Sequence, residues 1–302
     1  MSIITTSNHP KALWPGVAAW WGRTYDEHKT EYTDLFDIES SNQSYEEDVQ
    51  LTGFGLAPVK AEGASVSYDT ESQGFVSRYT HAAIALGFIC TYEDIKDNLY
   101  PVVGRRRGQA NAFSMRQSKE IIHANIYNRA FNASYTFGDG KEILATDHPS
   151  TAGTWSNELA TPADFSEEAL EDLLVMIMTA VNDRGHNINL MAQSLHIHPN
   201  GWFEANRVLK SVLQNDTANN ALNVLKATNA LPGGIKMNHY FTDTDAWFVR
   251  TNAPRGMIGY QRDSYPLKQD NDFDTGNAKA KSYDRFSAGC TDPRGLYGSA
   301  GA

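Results

Sequence analysis

Apolar positions along this 302-residue chain change period several times, and those changes mark out its elements. Leu13, Trp14, Val17, Trp20, Trp21 and Tyr25 recur at helical spacing, followed by Tyr32, Leu35 and Phe36. From Glu47 to Asp69 the pattern shortens to Val49, Leu51, Phe54, then Val66 and Tyr68 around a Pro58 to Gly63 turn, which predicts a long two-stranded excursion. Phe75 to Cys90 alternates partially and predicts one extended strand. Thr91 offers a cap for a short helix to Leu99.

The stretch from Arg105 to Phe131 has no Gly or Pro beyond Gly108 and predicts a helix of roughly 25 residues, about 40 Å long. Its apolar residues fall in two sparse rows, Phe113, Ile121, Ala124, Tyr127 and Phe131 against Ala112, Met115, Ile122, Ile126 and Ala130, so it needs cover from two directions. Farther on, Leu170, Leu173, Leu174, Ile177, Met178 and Val181 give the clearest amphipathic helix, within Thr161 to Val181. Leu195 to His198 predicts a strand, Trp202 to Leu213 a helix, and Leu222 with Leu225 a short one. Ile235 to Phe241, Ala246 to Thr251, Met257 to Tyr260 and Lys279 to Ala288 complete the strands. The class is α+β, with no repeat and no low-complexity linker.

Charge sharpens this picture. The long helix carries Arg105, Arg106, Arg107, Arg116, Lys119 and Arg129 against the single acid Glu120, a balance of +5 in a chain of net −10. Residues 1 to 80 carry twelve acids and five bases, a balance of −7. An acidic front and a basic helix are candidates to meet across a subunit boundary, with Trp14, Trp20, Trp21, Phe36 and Lys60 as further interface candidates; the other reading of the aromatics is folding back onto the chain's own core. The acidic balance, with a pI near 5.3, disfavours a general nucleic-acid binder and points to enclosure rather than grip. Cys90 and Cys290 make neither a disulfide framework nor a zinc site, which leaves a reducing cytoplasm as the default. No signal peptide, transit peptide or membrane span is evident.

Candidate chemistry is sparse. His196 and His198 share a strand face as in metal-dependent hydrolases, yet only His239 follows them, and a structural role is favoured. Asp243 and Asp245 read as turn formers. Gly53-Phe54-Gly55 lacks the rest of a dinucleotide fingerprint. Neither a catalytic residue nor a cofactor emerges.

The order of segments resembles the major capsid proteins of tailed double-stranded DNA bacteriophages, the Mu-like branch of the Hong Kong 97-type fold. The residues that carry it are Tyr32-Thr33-Asp34-Leu35-Phe36, Leu86-Gly87-Phe88 before Tyr92-Glu93-Asp94, Ser114-Met115-Arg116 to Asn128-Arg129-Ala130-Phe131, Asp147-His148-Pro149, Leu195-His196-Ile197-His198-Pro199, Asp243 to Phe248, and Asp292 to Gly298. The resemblance implies an N-terminal arm (1–46), an extended β-hairpin loop (47–72), a peripheral domain with a spine helix (73–159), an axial domain (160–262) and C-terminal strands returning to the peripheral domain (263–302). It implies hexamers and pentamers of an icosahedral shell around DNA, in a virion assembled in the bacterial cytoplasm, with portal and decoration proteins as partners. The arm begins within about 15 residues, which suggests a separate scaffolding protein. Lys60 lies where some relatives cross-link, but no partner for it is identifiable. An encapsulin-like compartment is the alternative of similar fold.

Overall fold

The computed structural model describes residues 14–93, 97, 100–213, 222–272 and 274–302. Helix α1 (Trp14–Glu27) and the single turn α2 (Tyr32–Leu35) lead into β1 (Asp37–Ser40) and β2 (Tyr45–Leu51). After a long loop come β3 (Gln73–Thr80), β4 (Ala82–Cys90) and the long helix α3 (Tyr100–Asn128). The second half holds β5 (His148–Ser150), β6 (Gly153–Trp155), α4 (Glu167–Met178), β7 (Ala192–Ile197), α5 (Trp202–Lys210), α6 (Val224–Ala227), β8 (Gly234–Met237) and β9 (Trp247–Thr251). Two long strands, β10 (Met257–Asn271) and β11 (Ala278–Cys290), and a short β12 (Leu296–Ser299) close the chain.

Two four-stranded sheets organise the subunit. The first has the order β1-β10-β11-β4, with β1 parallel to β10 and the other pairs antiparallel. The second has the order β12-β9-β7-β8. Helix α3 lies along the first sheet, and its inner residues Ala124 and Tyr127, with Ala130 just past its end, join Leu35, Phe36, Ile143, Phe248, Met257 and Leu296 in one core. The second core sets Leu170, Leu173, Leu174 and Ile177 of α4 against Leu195, Ile197, Trp247 and Val249. Ser166 caps α4, accepting from the Ala169 N–H at 3.1 Å, so the helix begins later than the apolar pattern alone suggests.

Several expectations are corrected. The long helix starts at Tyr100 rather than Arg105, because Pro101 is tolerated in a first turn and Gly104 and Gly108 are buried, where packing outweighs propensity. The 75–90 strand is two strands: His81, buried between the hydroxyls of Ser41 and Ser287 at 3.1 and 3.0 Å, marks the switch from pairing with β2 to pairing with β11. The hairpin expected within 47–72 has its ladder at Tyr45–Leu51 and Gln73–Thr80, below the loop that Gly53, Gly55, Pro58 and Gly63 keep out of regular pairing. Met257–Asn271 is one strand because a register shift between Tyr265 and Lys268 accommodates Pro266. An expected boundary at 262/263 therefore cuts through β10, and Leu296–Ser299 runs in the second sheet with β9 instead of returning to the first.

Candidate functional site

The feature that most needs explaining is a projection. Phe54, Leu56, Val59, Val66 and Tyr68 are 64%, 76%, 102%, 62% and 94% exposed, an apolar display that a free subunit has no reason to keep. Lys60 is exposed at the same tip. The base of this loop is fixed. Asp69 accepts from the Gly55 and Thr70 N–H groups at 2.7 and 2.8 Å and from Arg184 at 2.8 Å; those backbone bonds, then the guanidinium, hold its carboxyl below the usual range. Gln50 donates to Asp183 Oδ2 at 3.0 Å, and the buried Arg294 donates to Asp183 Oδ1 at 2.8 Å. Asp183 and Arg184 therefore tie the loop's base to the C-terminal segment while its tip stays bare. Sequence reasoning missed both residues, which lie just past the helix expected within Thr161 to Val181.

The arm behaves otherwise. Trp21 is 4% exposed, stacks on Tyr25 at 4.8 Å and donates to Asn111 Oδ1 at 2.8 Å. Phe36 is 1% exposed, edge-on to Tyr127 at 5.7 Å. Arg116 lies over the Tyr25 ring at 4.2 Å and reaches the His28 carbonyl at 3.4 Å. These three residues, expected at a subunit boundary, are instead consumed inside the subunit, because α1 and α2 both pack alongside α3. The side chains of Trp14 and Trp20 lie outside the described residues. Arg105 and Arg106 are exposed on the first turns of α3, and Arg107 donates to the Ile89 carbonyl at 2.8 Å.

Four described acids of the front portion also find partners within the chain, each on the second half rather than on the basic helix. Asp34 meets Lys236 at 2.9 Å, Glu31 meets His239 at 2.6 Å, Asp37 meets Arg250 at 3.0 Å and Asp48 meets Arg255 at 2.5 Å. On α3, Lys119 pairs with Asp284 at 3.0 Å, both almost fully buried. Glu120 accepts from the Glu31 and Tyr32 N–H groups at 3.2 and 2.8 Å; burial raises its pKa against the pull of those bonds. His123, stacked on Phe286 at 4.8 Å, is depressed to about 4 chiefly by burial.

The histidine pair does not make a centre. His196 is fully buried with Nε2 2.8 Å from the Ser194 hydroxyl, and burial depresses its pKa to about 3. His198 instead accepts from the Asn200 N–H at 3.2 Å and caps the Pro199–Gly201 turn. Among the described residues no three His, Cys, Asp or Glu side chains converge as a metal site. Asp243 Oδ1 accepts from the Asp245 and Ala246 N–H groups at 3.1 and 3.4 Å, as a turn former does.

A subunit with a long helix along one sheet, a second helix-covered sheet and a bare projecting loop is of the Hong Kong 97-type capsid class. A family model described as phage capsid protein matches residues 75–299, and the chain belongs to that family of capsid shell proteins. Three solved structures are similar to it. A virus-like particle from Pyrococcus furiosus shares 10% identity, covering 94% of this chain and 97% of that one, with a TM-score of 0.52. Mycobacterium phage Che8 gives 13% identity, coverage of 89% and 90%, and a TM-score of 0.51. Mycobacterium phage Patience gives 10%, with coverage of 98% and 88%, and 0.52. At such identities the likeness carries the fold alone. No curated protein matches the chain.

Proposed function

We propose that this protein is the major capsid subunit of a tailed bacteriophage, assembling into hexamers and pentamers of an icosahedral shell that encloses double-stranded DNA in the virion. Its role is structural rather than catalytic. The observation that carries the reading is the uncovered tip, where five large apolar side chains stand in solvent. Covering them would contribute on the order of 10 kcal/mol before the cost of ordering the loop, a strong drive toward a neighbouring copy. In this assignment the first sheet with α3 is the peripheral domain and the second sheet with α4 and α5 the axial domain. Shell assembly takes place in the host cytoplasm, with scaffolding, portal and decoration proteins as partners.

Electron microscopy of the expressed protein tests the reading: closed particles are expected, and a monomer that never assembles at high concentration would contradict it. The alternative of similar fold is an encapsulin-like compartment, whose shell would hold protein cargo instead of DNA. Nuclease-protected DNA in native particles supports the virion, and protein cargo without DNA supports the compartment.

A further inference from the structure

The extended loop and the ladder beneath it are held by different means. Strand β2 is anchored from outside the hairpin: Gln50 donates to Asp183 at 3.0 Å, and Asp48 accepts from Arg255 at 2.5 Å and from the Thr291 hydroxyl at 3.0 Å. The last rung joins Thr52 to Ser72, with the Thr52 N–H on the Ser72 carbonyl at 3.1 Å and the two hydroxyls 3.0 Å apart. Directly above that rung Gly53 takes a φ of 65°, which glycine adopts freely, so the chain has a pivot there. Beside the pivot lies a cleft of about 350 Å³, lined by Ser72, Gly74, Pro149, Thr151 and Asp183, which leaves the loop room to move.

Above the pivot the tie is Arg184. Its Nη1 donates to Asp69 Oδ2 at 2.8 Å and its Nη2 to the Thr70 carbonyl, so one planar fork grips a side chain and the backbone of the returning limb. Gly55 on the outgoing limb comes so close that an added Cβ would lie 3.2 Å from Asp69 Oδ2 and 3.3 Å from Arg184 Nη1. Both limbs are gathered at one guanidinium. The turn that presents it is itself well bonded: Asn182 Oδ1 accepts from the Arg184 and His186 N–H groups, each at 2.9 Å, and the Asp183 carbonyl accepts from the Ala152 N–H at 3.0 Å.

We propose that Arg184 is a positioning residue for assembly, fixing the direction of the bare loop in the free subunit so that a second copy meets a loop already aimed rather than one turning about Gly53. The proposal rests on the shell reading and deepens it, by giving capture of the loop a preorganised starting state. A partly exposed ion pair shifts such an equilibrium by about fivefold, and apparent affinity falls with the fraction of loops correctly placed. A nucleus that must seat several loops multiplies that factor. Once the tip is covered, the neighbouring copy holds it and the tie no longer matters.

Assembly kinetics test this. Followed by light scattering, R184A should form particles at least tenfold more slowly than wild type, while its finished particles dissociate at the same denaturant concentration and the subunit's melt is nearly unchanged. R184K keeps the charge without the fork and should fall between; if R184A does not fold, the R184K rate decides. In the free R184A subunit, amide exchange over residues 53–55 and 69–71 should quicken. Faster exchange there with assembly at the wild-type rate would overturn the positioning role, and so would finished R184A particles weakened as much as their assembly is slowed. Unchanged exchange would overturn the tie itself, and all three results leave the shell reading standing. Failure of the wild-type chain to assemble would bring down the shell reading, and the role of Arg184 with it.

Discussion

The arm and the extended loop present the same kinds of residue, acids mixed with aromatic and branched apolar side chains, yet the subunit treats them oppositely. In the arm, large side chains find partners on α3: Trp21 has Asn111, the Tyr32 ring has His123, and Phe36 has Tyr127. In the loop, ties to the rest of the subunit stop at Asp69 and Arg184, and Val59 and Tyr68 stand almost wholly exposed. Composition marks a segment as needing cover. Whether that cover comes from the same chain depends on hydrogen-bonding groups placed far away in sequence.

Removing the loop should give the largest effect. Replacing residues 56–67 with a short Gly-Ser linker is expected to abolish particles in sedimentation while leaving the chemical denaturation midpoint of the unassembled subunit unchanged. Phe36→Ala is expected to do the reverse in kind, costing about 3–5 kcal/mol of subunit stability, because a fully buried ring would leave a cavity.

Acid should separate the two regions further. His123 is depressed to about 4 from an unfolded value of 6.5, so the unfolded chain binds the extra proton and stability falls as pH drops through that window. The loss attributable to this one group is about 3 kcal/mol by pH 4. His196 acts in the same direction. Glu120, with its pKa raised, acts in the opposite one, favouring the folded state as pH falls. Melting from pH 7 to 4 should show a net decrease, smaller in His123→Phe, which keeps a ring against Phe286 and removes the titration. The smallest effect belongs to Arg184→Ala. Its pair with Asp69 is partly exposed, so a change within about 1 kcal/mol is expected in subunit melting, along with faster proteolysis of the loop.

The sequence made the helices and the class of fold legible wherever one face is consistently apolar, as in α4, and the ordered motifs from Tyr32 to Gly298 carried the family. It hid three things for identifiable reasons. Pro266 and the polar run from Gln261 to Ser264 disguised β10 as a short strand, since only the pairing with β11 shows that the register shift absorbs them. The break at His81 is chemical, a buried imidazole between two serines, and leaves no mark in an apolar pattern. The burial of Trp21, Phe36 and Arg116 depends on Asn111, Tyr127 and Tyr25, and no local spacing reports such distant partners.

The most direct measurement is amide hydrogen exchange across residues 56–68, above the bonded base of the loop, in the unassembled subunit and in the closed particle. The account predicts near-complete exchange within seconds in the subunit and strong protection in the particle, while the arm over residues 21–36 is protected in both. Equal, fast exchange of the loop in both states would contradict it.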